Sequence, residues 1–305
     1  NDIISKAKVI ACTLVGANSY VLKGKRYRTV FIDEAAQALE PACWIPIIKA
    51  ERVVFAGDHC QLPPTIKSFE ASRSGLANTL FEKAIKRNKA DVMLMEQYRM
   101  NNEIMTFPSR HFYNNQLKAN KAVAEGKIFS EDLPVEFIDT AGSGFFEQTD
   151  EETRSIYNQE EANLLIQHFT QYTSQLEALN ITQQVRDVGI ISPYKAQVSL
   201  LQDSLNGATI FPDHITENLN INTVDSFQGQ ERDIIYISLV RSNEKGEIGF
   251  LSDTRRMNVA MTRARKKLVI IGDSAAIGQH PFYDKLLDYI NEIGAYRSAF
   301  EFMKF

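Results

Sequence analysis

The sequence predicts an α/β protein with buried parallel strands, folded as about two doubly wound domains. Short apolar runs rich in β-branched residues alternate with stretches of helical periodicity, the pattern of strand-helix-strand units. The chain has 305 residues, room for two domains at roughly 150 residues each. Hydrophobic residues make up 44% and charged residues 24%, values of a chain that buries a core and does not stay disordered.

Strands are expected at KVIACTL (8–14), RTVFIDE (28–34), RVVFAGD (52–58) and VEFIDT (135–140) in the first half of the chain. Four more are expected at DVGIIS (187–192), NINTVDS (220–226), DIIYISLV (233–240) and KLVIIGD (267–273). Between residues 159 and 179, Leu165, Phe169, Tyr172, Leu176 and Leu179 recur at steps of three and four, which predicts one apolar helix face. Residues 193–205 and 253–265 read as further helices, the second capped by Ser252 or Asp253. The least regular stretch, 114–155, combines Gly, Pro and acids around one strand-like run and reads as the approach to a second domain.

The net charge of −4 conceals a segregation along the chain. Residues 1–118 carry +6, 119–185 carry −9, 186–247 carry −4 and 248–305 carry +3. Acid is concentrated centrally and the ends are basic, so contact with nucleic acid is not excluded by the total. Cys12, Cys43 and Cys60 show no CxxC spacing and cannot all pair, which fits a reduced setting inside a cell, cytoplasmic or nuclear. His59 adjoins Cys60, but no second Cys/His cluster follows, and no structural zinc is expected. The longest apolar runs stop well short of the ~20 residues of a membrane helix, and no membrane partner is expected.

The chemistry-bearing residues follow the strands. In YRTVFIDEAAQ an apolar run ends in Asp33 and Glu34, two carboxylates at the carboxyl edge of a sheet, where such folds bind ligands. The pair suits a division of labour in phosphoryl transfer, Asp33 holding a hydrated Mg²⁺ and Glu34 polarising the attacking water. The same dipeptide also fits a solvated strand end. In GDHCQLPPT (57–65), Gln61 can sense a terminal phosphate while Pro63 and Pro64 stiffen the loop; a simple Pro-containing turn has the same pattern. MEQYRM (95–100) pairs Tyr98, a ring for stacking, with Arg99, a planar cation for phosphate oxygens. In DTRRMNVAMTRARKK (253–267), Arg256 and Arg263 lie seven apart and should share a helix face, a geometry for reaching a phosphate, though a solvated basic helix reads alike. NTVDSFQGQERD (222–233) turns from a strand into a Gly-containing loop bearing Gln228, Gln230 and Glu231, with donors for a sugar-phosphate backbone and an acid for ribose hydroxyls.

Taken in order, DEAAQ (33–37), GDHCQLPPT (57–65), EQYRM (96–100), ISPYKAQ (191–197), VDSFQGQERD (224–233) and GFLSDTRRMNVAMTRAR (249–265) resemble the superfamily-1 helicases, most closely the Upf-like group of 5′-to-3′ translocases. The motifs span nearly the whole chain, and their joint order is far more specific than any one of them. The resemblance implies two RecA-like domains of the P-loop NTPase fold, residues 1–105 being the later part of a first domain truncated at its N-terminus and 106–305 a second domain. It implies ATP and Mg²⁺ as cofactors and single-stranded DNA or RNA as partner. Residue by residue, Asp33 and Glu34 would act on Mg²⁺ and water, and Gln61 would read the γ-phosphate. Arg99 and Arg263 would be arginine fingers, Tyr98 the adenine-side aromatic, and Gly229 and Glu231 part of the nucleotide site. Thr13, Pro64, Tyr194, Lys195, Thr223 and Ser226 would line the nucleic-acid track.

The family also requires a GxxxxGK[ST] loop to cradle phosphates. None of the 15 glycines has another five positions later, and the chain starts at Asn1, so the expectation is a fragment whose missing N-terminal part carries the loop. On its own the fragment should hydrolyse negligible ATP. Two rivals remain: a binding module that clamps nucleic acid or a partner without hydrolysis, and a metal-dependent phosphotransferase using Asp33 and Asp58. Retention of Asp33, Glu34, Gln61, Arg99 and Arg263 weighs against the first, and the Gln-Tyr-Arg and Thr-Arg-Ala-Arg elements have no role in the second.

Overall fold

The computed structural model describes residues 2–88, 91–206 and 212–303. The chain divides into two compact units, 1–93 and 94–305. The expected break after residue 105 would have left Tyr98 and Arg99 with the first unit; the division places both in the second.

In the first unit, β1 (Tyr27–Ile32) runs parallel to β2 (Ala50–Phe55), with α1 (Glu40–Ile47) as the crossover. The apolar, β-branched centres of both strands account for their pairing. Ile32, Ala35 and Cys43 form the buried centre, packed by Val30, Ile47, Val53 and Phe55 and by Leu80 and Phe81 of α2 (Leu80–Asn88). The strand expected at 8–14 does not form: Val9 is 84% exposed, and the sheet of this unit contains β1 and β2 alone among the described residues. A β-branched run becomes a strand only when a neighbouring strand takes up its backbone hydrogen bonds, and here none does.

The second unit is built on a six-stranded parallel sheet. Its strands are β3 (Val135–Asp139), β4 (Val188–Ser192), β5 (Leu219–Thr223), β6 (Arg232–Ser238), β7 (Ala264–Gly272) and β8 (Tyr296–Ser298), in the spatial order β8-β3-β7-β6-β4-β5. The crossing helices are α3 (Asn102–Phe112), α4 (Gln159–Ala178), α5 (Lys195–Leu205), α6 (Thr254–Met261) and α7 (Pro281–Glu292). Because side chains alternate along a strand, Ile138, Val188, Ile190, Ile234, Tyr236, Val269 and Ile271 share one face. They pack there against Leu165, Phe169 and Leu176 of α4 and Val198 and Leu201 of α5. The helices α3, α6 and α7 lie against the sheet from their own elements' contacts with β3, β6 and β7.

The predicted apolar stripe of α4 is buried at Leu165, Phe169, Tyr172 and Leu176, while Leu179 lies past the helix end and is 49% exposed. The arginine-rich helix, expected over 253–265, ends at Met261. Asp253 caps it, accepting from the Arg255 backbone N–H at 3.3 Å, as one of the two candidates should. The short β8 was not foreseen, since three residues of mixed polarity carry no periodicity.

Candidate functional site

In the first unit both candidate motifs leave the carboxyl ends of paired strands. Asp33 and Glu34 follow β1, and Asp58 to Gln61 follow β2. Ala56 donates to the Ile32 carbonyl and Ala35 donates to the Ala56 carbonyl, each at 2.8 Å, so the two loops are stitched together. Gly57 is required there: a Cβ would sit 2.9 Å from the Ala36 nitrogen and 3.1 Å from that of Ala35. Glu34 turns the chain with φ of 50°, a left-handed conformation that is uncommon away from glycine and that concentrates at functional turns. Its carboxylate accepts from Gln37 Nε2 at 2.8 Å, and Asp33 Oδ1 accepts from the Glu34 backbone N–H at 3.0 Å. Gln61 Nε2 donates to Asp58 Oδ2 at 2.8 Å. Asp33 is exposed at the strand end, the donor chemistry and access that a hydrated Mg²⁺ needs. Pro64 is buried, and Thr13 is exposed, its Oγ1 accepting from the Gly16 N–H at 3.0 Å.

In the second unit the candidate residues separate to opposite edges of one sheet. Arg99, Glu231 and Arg263 gather at the amino edge, where β6 and β7 begin. Arg99 Nε donates to Glu231 Oε2 at 2.6 Å and its Nη1 donates to the Thr262 carbonyl at 3.0 Å. Arg265 extends the set, donating to Glu231 Oε1 at 3.2 Å and Asp233 Oδ1 at 2.7 Å and pairing with Asp187. Partial burial works to raise the Glu231 carboxyl, but Arg99 and Arg265 prevail and hold it below its ordinary value. Arg263 is buried, with Nε donating to the Val259 carbonyl at 3.0 Å and Nη1 to the Gln230 carbonyl at 3.1 Å. It lies beyond the end of α6, so it does not share a helix face with Arg256, which pairs with Asp253 instead. At the helix end the Thr262 hydroxyl donates to the Asn258 carbonyl at 2.7 Å and Arg263 folds back on Val259. Tyr98 is exposed, its hydroxyl donating to Glu96 at 3.1 Å, and that bond raises the phenol. Gly229 has φ of 75°, the conformation that lets the 224–231 loop turn back to β6.

The carboxyl edge carries the remaining candidates. Lys195 opens α5 directly after β4 and is exposed. Thr223 ends β5 and Ser226 follows it, their hydroxyls 3.4 Å apart. Tyr194 is buried, and its hydroxyl accepts from the Phe250 N–H at 3.3 Å while the two rings lie 5.5 Å apart. It therefore braces the 248–250 segment, with Lys195, Thr223 and Ser226 the accessible members of this edge.

Two contributors carry no motif signal of their own. Arg265 sits within the arginine-rich run, but nothing in the run distinguishes it from its neighbours. Glu161 reads as the solvated third residue of a helix capped by Asn158, and indeed its N–H donates to Asn158 Oδ1 at 3.0 Å. Yet it is fully buried, accepting from the Ser238 hydroxyl at 2.6 Å and the Val240 N–H at 2.9 Å. Val240 has φ of 71°, strained for a β-branched residue, so Glu161 holds a tense turn where β6 meets the carboxyl edge. Burial, outweighing these bonds, pushes the Glu161 carboxyl up to about 7.

The candidate residues are thus carboxylates at strand ends in the first unit and clustered arginines at the amino edge of a parallel α/β sheet in the second, and the class to which such a chain belongs follows from its family. Residues 76–275 match a family described as an AAA domain (AAA_12), and residues 1–69 match a second family of the same description (AAA_11). The chain belongs to this AAA-domain family, in its superfamily-1, Upf1-like helicase group. It is 39% identical over 316 residues to the DNA-binding protein SMUBP-2 of Mus musculus, covering 98% of this chain and 30% of that protein. An uncharacterised ATP-dependent helicase of Methanocaldococcus jannaschii is 37% identical, with 96% of this chain and 43% of that protein covered. A regulator of nonsense transcripts 1 homologue of Arabidopsis thaliana is 35% identical, with 95% and 23% covered. The chain thus spans less than half the length of each of these relatives.

Proposed function

We propose that these 305 residues are the larger part of the motor of an ATP-driven helicase, in which hydrolysis moves the protein 5′-to-3′ along single-stranded DNA or RNA. The observation that carries this reading is the segregation in the second unit: cations and Glu231 at the amino edge, Lys195, Thr223 and Ser226 at the carboxyl edge. One domain can then sense nucleotide on one side and grip a strand on the other, so that a hinge motion driven at the first edge is felt at the second. In this reading Asp33 holds Mg²⁺, Glu34 orients water, Gln61 reads the γ-phosphate, and Arg99 and Arg263 meet the charge of the transition state. Tyr98 and Glu231 flank the nucleoside. Backbone-directed contacts by Thr13, Thr223, Ser226 and Lys195 would grip either nucleic acid with little base preference, with the buried Pro64 shaping its loop from beneath. Three cysteines, none of them in a disulfide, favour a reduced, intracellular setting.

The chain contains no GxxxxGK[ST] loop, so the 305 residues alone should release phosphate far more slowly than the roughly 1 per second of an ordinary enzyme. A longer form of the protein that includes such a loop should hydrolyse ATP with stimulation by single strands, and Asp33→Asn should abolish it. Steady-state phosphate release with Mg²⁺, with and without DNA or RNA oligonucleotides, decides the matter. Strand binding without any hydrolysis by that longer form would instead establish the non-hydrolysing clamp.

A further inference from the structure

In the first unit, three consecutive residues of the 57–61 loop, Asp58, His59 and Cys60, each present one metal-ligating atom, and these atoms all lie within 4.8 Å of one another. We propose that this tripeptide is a binding site for a divalent transition metal of the zinc class, with three protein ligands and a water.

Charge, softness and spacing converge on that ligand. A carboxylate and a thiolate together neutralise a divalent ion, and the imidazole adds a donor without charge. The mixed oxygen, nitrogen and sulfur set suits zinc or cobalt and not magnesium, which takes oxygen ligands. A tetrahedral centre with bonds of about 2.0–2.3 Å sets its ligands roughly 3.3–3.8 Å apart, so the three side chains need close by only about 1 Å. His59 is exposed and can make that movement, while Asp58 and Cys60 are half-buried and supply the fixed side. The surroundings orient the carboxylate as an outer shell does: Asp58 Oδ1 accepts from the Cys60 N–H at 2.9 Å and Oδ2 from Gln61 Nε2 at 2.8 Å. A carboxylate offers about four lone-pair positions, so hydrogen bonds and a metal bond are compatible on one group. Binding displaces one proton, which passes from the Cys60 thiol to the solvent as the metal–sulfur bond forms.

The site has a regulatory consequence that rests on the reading of Gln61 as the γ-phosphate sensor. A metal that pins Asp58 also pins the side chain hydrogen-bonded to it, so zinc should slow hydrolysis in the longer, active form. The binding test does not depend on that reading. Cobalt(II) titrated into the 305-residue chain should give visible tetrahedral bands and a near-ultraviolet thiolate band at one equivalent, both displaced by zinc. Cys60→Ser should remove the thiolate band, and His59→Ala, a change at an exposed position, should weaken affinity about tenfold or more. Cys12→Ser and Cys43→Ser should leave the spectrum unchanged. No thiolate band at millimolar cobalt, or a band that follows Cys12 instead of Cys60, overturns the proposal and leaves the role of Gln61 standing.

Discussion

The two sheets are made of strands that read alike and are buried very differently. Phe31 on β1 is 72% exposed and Val54 on β2 39%, whereas Ile234 to Ile237 on β6 and Leu268 to Ile271 on β7 are at most 2% exposed. Both pairs are parallel and β-branched, so strand composition does not separate them. The difference lies in what surrounds each strand: β6 and β7 have strand neighbours on both sides and helices over the sheet, while among the described residues β1 and β2 pair only with each other. An apolar strand is therefore a demand for cover, and burial records whether the demand is met.

Substitution should expose that contrast most strongly in the core. Phe169→Ala, at a residue of zero exposure beneath the six-stranded sheet, should cost about 3–5 kcal/mol in urea unfolding of the second unit. A loss under 1 kcal/mol would mean that this core is loosely packed. Next comes pH. Glu161 is raised from 4.5 to about 7, so between those values the folded state binds a proton that the unfolded state has released. The Glu161 contribution to stability should be full below 4.5 and fall by roughly 3 kcal/mol as pH rises to about 7, and Glu161→Gln should remove that part of the slope. Glu136 supplies the opposite sign in the same unit. Burial would raise it, but His168 and Lys267 hold it at about 2, so its contribution is present above 4.5 and lost as pH falls toward 2.

Smaller effects belong to the exposed positions. The Arg99–Glu231 pair is about one-third exposed on each side or more, so a double-mutant cycle should give a coupling of roughly 1 kcal/mol or less despite the short contact. A substantially larger coupling would make the pair a structural clasp of the amino edge. Smallest of all, Phe31→Ser should change stability by no more than about 0.5 kcal/mol, measured by thermal unfolding of the same chain. A large loss there would show that the face of β1 is covered after all.

The same contrast explains which parts of the molecule were legible in the chain. Strands at 135–139, 188–192, 219–223, 232–238 and 264–272 lie where β-branched runs predicted them, because each run found neighbours. The run at 8–14 had equal local merit and no neighbour. Asp33 and Glu34 fall directly after β1 and Gln61 in the loop that follows β2, as expected, since a strand followed by a turn is a local feature. Arg263 does not share a face with Arg256, because a seven-residue spacing assumes a continuous helix and this one ends at Met261. The buried set of Lys267 with Asp132 and Glu136 carried no signal at all, since charged residues beside an apolar run usually mark its solvated end.

Motif order, family membership and the identity of most strands and helices were legible in the sequence alone, because periodicity, capping and turn chemistry act over a few residues. The edge of the sheet that each motif occupies, the pairing of Arg99 with Glu231 and the opposite titration of Glu136 and Glu161 were decided only by the tertiary structure. Each depends on groups tens to more than a hundred positions away. Burial and the charge of those distant neighbours, not the identity of the residue, set whether a carboxyl rests near 2 or near 7.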